Sequence, residues 1–171
     1  MQMHKCCAFG QRNCSRKTLY HSLIRTLTNS HINYICAVKV LILHQHFKTP
    51  QEGGAIRSYY LAKALKDREI SVVVITAAHD GNSRVEYVDG VEVHYLSAPY
   101  DNGYGYYKRI RSFIQFLVKA FFRSMKIKEV DVCYAISTPL TVGIVALALK
   151  WFRKLPYVFE VGDLWPEAPI Q

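Results

Sequence analysis

From residue 38 onward, apolar and polar positions fall into blocks with two different periods. Residues 38–44 (VKVLILH) and 70–77 (ISVVVITA) are short apolar runs rich in β-branched side chains, as strands buried on both faces require. Between them, Ile56, Tyr59, Tyr60 and Ala64 recur at helical spacing among Arg57, Lys63 and Lys66, which predicts a helix over 55–66 with one buried face. Strand, helix and strand in about 40 residues make a βαβ unit. Residues 85–88 and 91–96 flank Asp89-Gly90, a hairpin signal. A Tyr- and Gly-rich loop follows at 98–107 (APYDNGYGYY), long enough to carry function.

Residues 107–127 predict a long amphipathic helix. Ile110, Phe113, Ile114, Leu117, Phe121 and Met125 form its apolar face, and Lys108, Arg111, Gln115, Lys119, Arg123 and Lys126 line another. Residues 130–136 (VDVCYAI) read as a strand. Ser137-Thr138-Pro139 then opens a helix running to about Phe152, with Thr138 as its cap. A last strand at 156–161 (PYVFEV) leads directly into Gly162-Asp163-Leu164-Trp165-Pro166-Glu167. This alternation predicts an α/β fold, a Rossmann-like doubly wound parallel sheet, whose ligands bind outside the carboxyl ends of the strands.

The distinctive residues fall in the loops at that edge. Gly53-Gly54 precede a helix whose first N–H groups are unpaired and partly positive, and two glycines let a phosphate approach the backbone. An ordinary tight turn explains them equally well. Arg57, on the first helical turn, has the reach to hold a phosphate bidentately. His44 and His46 end the first strand. The pair suggests a metal, yet no third ligand at matched spacing is visible, and a histidine that packs or contacts ligand fits better. Asp163 suits a base or a hydrogen-bond acceptor for a sugar hydroxyl, or a turn cap. Glu167 also fits an acid favoured by a helix dipole, and Trp165 a sugar platform or a core residue.

The chain has 171 residues, half of them hydrophobic and a fifth charged, which indicates a globular domain rather than disorder. Its net charge of +9 suits nucleic acid, a membrane surface or an acidic ligand. Residues 1–37 carry Lys5, Arg12, Arg16, Lys17 and Arg25, no acid and no clear periodicity, and are expected to be a disordered extension ahead of a domain at 38–171. They lack the apolar core of a secretory signal, and no stretch reaches the ~18–20 apolar residues of a spanning helix. Cys6, Cys7, Cys14 and Cys36 fit no common zinc spacing, so free thiols in a reducing cytosol are expected. The basic helix at 107–127 reads either as a surface for anionic membrane, at roughly 1 kcal/mol per exposed charge, or as a solvated helix face. Walker-type, dinucleotide-type and G-x-S-x-G motifs are absent from the sequence.

The ordered set KVLILHQHF…P-x-x-GGAIRSYYLAKAL, DGVEVHYL, DVCYAISTPLTVGIVALAL and PYVFEVGDLWPE resembles the N-terminal half of glycosyltransferase family 4, within it bacterial enzymes of surface-polysaccharide biosynthesis. The resemblance covers about residues 38–171. It implies the N-terminal Rossmann-like half of a GT-B fold and sugar transfer from a nucleotide sugar with retention of configuration, without cofactor or required metal. The acceptor would be a polysaccharide or a lipid-linked sugar. It implies substrate or donor-phosphate contacts at His46, Gly53, Gly54, Arg57, Ser137, Thr138 and Glu167, and a catalytic role for Asp163. Members often carry His or Arg just before that Asp, where Gly162 stands here.

The resemblance implies a donor-binding C-terminal domain, which this chain is expected to lack. The chain is therefore expected to act as an N-terminal fragment, inactive alone, or as half of an enzyme whose other half is encoded separately. The expected location is cytoplasmic, at the inner face of the plasma membrane, with no nucleic-acid partner. The alternative is a non-catalytic basic module that binds membrane or nucleic acid.

Overall fold

The computed structural model describes residues 38–162 apart from Ala55, His79, Asn102 and Thr138. The extension expected at 1–37 lies outside the described residues. Among the described residues are six strands and three helices: β1 (Lys39–Leu43), α1 (Arg57–Lys66), β2 (Ser71–Ala78), β3 (Arg84–Val88), β4 (Val91–Ser97), α2 (Tyr106–Lys126), β5 (Val132–Ile136), α3 (Val142–Arg153) and β6 (Tyr157–Glu160). The strands form one sheet in the order β3-β4-β2-β1-β5-β6. Every neighbouring pair is parallel except β3 and β4. This is the Rossmann-like doubly wound sheet that the alternating pattern predicts.

The continuous apolar runs occupy the middle of the sheet because both of its faces are covered. Leu41 and Leu43 of β1, Val73 and Ile75 of β2 and Cys133 and Ala135 of β5 pack beneath Phe116 and Ala120 of α2 and Val145 and Leu149 of α3. The alternate residues Val40, Ile42, Val72 and Val74 face the other way, against Tyr59 and Ala62 of α1. Cys133 is a free, buried thiol whose pKa burial pushes up to about 12.

The hairpin forms where Asp89-Gly90 places it. Asp89 and Gly90 have φ of 49° and 77°, the paired positive angles of a turn whose twist matches the strands, and Val88 lies opposite Val91. The Tyr59 hydroxyl donates to the Asp89 carboxylate, which ties α1 to this turn. Gly143 sits in the first turn of α3 against β6, where an added Cβ would lie 3.0 Å from Cζ of Phe159. The helix reaches this close to the strand because the position has no side chain.

Two helices turn differently from the pattern reading. On α1 the buried residues are Ser58, Tyr59 and Ala62, whereas Tyr60 and Ala64 are exposed. On α2 the buried line is Ser112, Phe116, Ala120 and Ser124, and much of the expected apolar face points outward. Three residues assigned to the other face instead reach the sheet. Gln115 donates to the Ser97 carbonyl at 3.1 Å. Lys119 donates to the Ser97 carbonyl at 2.5 Å, and Arg123 Nε donates to His94 Nδ1 at 2.5 Å. With Nδ1 accepting, the His94 proton sits on Nε2, 2.5 Å from Glu92 Oε1. Burial, with the Arg123 charge, holds the His94 pKa below its ordinary value despite Glu92. α3 begins at Val142 rather than at the Ser-Thr-Pro run. Val142 and Gly143 donate to the carbonyls of Pro139 and Leu140 in a lead-in turn.

Candidate functional site

The loops after β1 and β5 leave adjacent parallel strands and lead to helices on opposite faces, α1 on one and α3 on the other. That divergence is the topological switch point of a doubly wound sheet and opens a crevice at the carboxyl edge. His46, Gly53, Gly54 and Arg57 lie on the β1 side of it, and Ser137 on the β5 side. Thr138, Asp163 and Glu167 lie outside the described residues, as does Trp165.

The Gly-Gly loop is a built turn. Glu52 and Gly53 donate their N–H groups to the Thr49 carbonyl at 3.0 and 3.2 Å. The Glu52 carboxylate accepts in return from the Thr49 N–H at 2.8 Å and from its hydroxyl at 2.9 Å. Gly53 and Gly54 have φ of +68° and +88°, a left-handed backbone that side-chain-bearing residues enter at a cost. No side chain caps α1, and its first turn holds no acid. The Lys48 side chain runs beside Gly54, its Cδ 3.5 Å from where a Cβ would be. The loop thus combines an uncapped helix N-terminus with a nearby ammonium, and both favour an anion.

Arg57 is not a lone surface cation. It forms an ion pair with Glu160 at the end of β6, while Glu160 Oε2 accepts from the Tyr134 hydroxyl at 2.6 Å. This contact links the start of α1 to the far side of the crevice. A phosphate arriving at Arg57 would exchange one anionic partner for another. The only signal for Glu160 in the sequence was an acid set inside the apolar run PYVFEV.

Beneath the loop, His44 is almost fully buried, with Nδ1 2.8 Å from the Ser58 hydroxyl oxygen. Burial lowers its pKa to about 4, with the charges of His46 and Arg57 adding to the effect, so the ring is neutral at physiological pH. Gln45 is wholly buried too. Its carbonyl accepts from Ala77 N–H and the Thr76 hydroxyl, and its side-chain amide has no partner among the described residues. His46 is half-buried, edge-on to Tyr100 at 5.0 Å, and Tyr100 stacks on Phe113 at 5.4 Å. Across the crevice Ser137 is buried. Its N–H donates to the Glu160 carbonyl and its hydroxyl accepts from Gly162 N–H, both at 2.8 Å. Ser137 therefore holds the backbone that enters the Asp163 segment. Among the described residues, no three His, Cys, Asp or Glu side chains converge as a metal ion would require.

A profile of the glycosyl transferase 4-like domain matches residues 52–171. The chain belongs to this family. Among solved structures it is similar to sucrose-phosphate synthase from Thermosynechococcus elongatus, at 15% identity and a TM-score of 0.49, over 73% of this chain. The chain spans 64% of that structure's length. No curated protein matches it.

Proposed function

We propose that this domain forms the acceptor-side wall of a retaining glycosyltransferase of GT-B type, comprising residues 38–171, which transfers a sugar from a nucleotide donor to a polysaccharide or lipid-linked acceptor of the bacterial envelope. The observation that carries the reading is the family match over residues 52–171, which contains the anion-favouring Gly53-Gly54 turn and Arg57. In this reading the turn and the α1 N-terminus face the donor diphosphate. Arg57 exchanges Glu160 for phosphate, and His46 and Ser137 border the acceptor. Thr138 and Glu167 supply further substrate contacts, and Asp163 orients or deprotonates the acceptor hydroxyl. The proposed chemistry uses no metal or other cofactor. A second, donor-binding domain completes the cleft, and a lipid-linked acceptor would bring the enzyme to the cytoplasmic face of a membrane.

The test is transfer of radiolabelled sugar from a panel of nucleotide sugars to bacterial lipid extract. The full chain is supplied alone and with a separately expressed donor-binding domain of the family. Product is expected with both halves present. Asp163→Ala should lower it by about a hundredfold or more, as loss of a general base does, and Arg57→Ala by about tenfold. Undiminished transfer in Asp163→Ala removes that residue from the chemistry. If no combination gives product and NMR saturation transfer detects no nucleotide sugar or glycan on the chain, the reading is wrong.

A further inference from the structure

The outer surface of the α2–α3 layer is apolar where a solvated domain would carry polar side chains. On α2, Ile114, Val118 and Phe122 follow one another at four-residue intervals and are 55%, 44% and 61% exposed. On α3, Ile144, Trp151 and Phe152 are 55%, 73% and 71% exposed. The two stripes join. The Phe121 ring lies 5.5 Å from Phe122 and 5.7 Å from Phe152, and Arg153 donates to the Ser124 carbonyl at 2.7 Å. An apolar surface of this extent marks an interaction site.

Its charge identifies the partner. Exposed Lys108, Arg111 and Lys126 on α2 and exposed Lys150 and Lys154 at the end of α3 border the patch. The stretches 102–128 and 132–159 contain no Asp or Glu. Lys119 and Arg123 are excluded from this count because they bond inward to β4. A second copy docked face to face would set these cations against their own counterparts with no acid between them. A nucleic acid would meet the cations but leave Phe122 and Trp151 in water. An anionic bilayer satisfies both features, taking the large apolar side chains at the acyl boundary and the lysines and arginines among the headgroups.

We propose that α2 and α3 together form a docking surface for an anionic lipid membrane, with Phe122, Trp151 and Phe152 as its inserted side chains. The surface stands without the sugar-transfer reading. Where both hold, it gives that reading its acceptor, because α2 starts at the carboxyl edge of the sheet where the candidate site lies and a lipid-linked sugar would arrive from the bilayer.

Flotation of the full chain with vesicles, in the absence of any nucleotide sugar, tests the surface separately from catalysis. Binding is expected to vesicles of phosphatidylcholine with 30% phosphatidylglycerol in 100 mM salt, and to weaken in 500 mM salt or on phosphatidylcholine alone. Phe122→Ser with Trp151→Ser should lower the partition coefficient at least tenfold while leaving thermal unfolding unchanged, since both side chains are already exposed. Lys108→Gln and Arg111→Gln should each lower it about fivefold. Brominated lipid should quench Trp151 in a Trp165→Phe background. The proposal fails if the chain does not float at 100 mM salt, or if the Phe122 and Trp151 changes leave flotation intact. It also fails if those changes instead dissolve a dimer, or if duplex DNA binds and vesicles do not.

Discussion

Lowering the pH from 7.5 to 5 protonates His44 in the unfolded chain and leaves it neutral in the folded one. The ring is 4% exposed and bonded to Ser58, and the charges of His46 and Arg57 face it. Its folded pKa lies at about 4 against an ordinary 6.5. The unfolded state therefore binds the extra proton in the window between these values, and stability falls as the pH falls through it. Linkage gives a loss of about 2 kcal/mol by pH 5 and about 3 kcal/mol once both states are protonated. His94, also held below its ordinary value, contributes in the same direction, so wild type alone cannot isolate His44. His44→Asn can, because an amide keeps a donor and an acceptor near the Nδ1 position and does not titrate. Urea unfolding of the full chain at pH 7.5, 6 and 5, followed by circular dichroism, should show wild type losing about 2 kcal/mol more than the variant by pH 5. The comparison is of slopes, so a uniform loss of stability in the variant does not affect it. Parallel curves would refute the claim that the buried neutral ring is a determinant of acid stability.

Three further substitutions probe the close approaches and the loop. Gly143→Ala gains roughly 1 kcal/mol in helix propensity but forces a Cβ to 3.0 Å from the Phe159 ring, and overpacking of that kind costs about 1–3 kcal/mol. Net destabilisation in urea is expected, and a stabilised variant would show that the ring can move aside. Gly53→Ala meets no atom of the described residues within 4 Å, so its expected loss of about 1–2 kcal/mol comes from the positive φ, and Gly53→Asn should recover part of it. Equal stability of wild type and Gly53→Ala would remove the argument for a glycine there. Gly162→His tests the space at this position, where among the described residues its Cβ would meet nothing nearer than Ser137 Oγ at 3.9 Å. Its unfolding midpoint should match wild type, and a marked fall would show that this segment is more crowded.

The sheet was legible because its strands carry their own labels. β1, β2 and β5 are apolar on both faces, as only central parallel strands are, and Asp89-Gly90 specified its hairpin through two positive φ angles. The Gly-Gly turn was legible as a turn for the same kind of reason, since the positive φ angles it needs are a local property of glycine. The Arg57–Glu160 pair was not. It joins an early helix to the last strand, and no spacing rule relates residues that only the sheet order brings together. The buried Ser58 was likewise hidden, because a serine in a helix reads as polar until His44 is found beside it.

The helix α2 was read correctly as amphipathic, and Leu117 and Phe121 of the expected face do pack on the core, but its fully buried line lies to one side of that face, and the reason bears on its use. Periodicity reports that two faces differ, not which of them meets the sheet. Here the sheet takes a line of mostly small residues, Ser112, Phe116, Ala120 and Ser124. The two serines are tolerable inside because each hydroxyl donates to a nearby carbonyl, Ser112 to Pro99 and Ser124 to Ala120. Gln115 and Lys119 both donate to the Ser97 carbonyl, so polar residues on the flank also hold the helix to β4. The inner contacts are therefore made without Val118, Ile114 or Phe122. A helix with one interface gains nothing from an exposed phenylalanine in line with an exposed valine and isoleucine, and it loses solubility. A helix with two interfaces needs a narrow small-residue line for the sheet and a second, larger apolar line for whatever lies beyond it. The α2 sequence has both, and the exposed aromatics of α3 extend the outer line rather than the inner one.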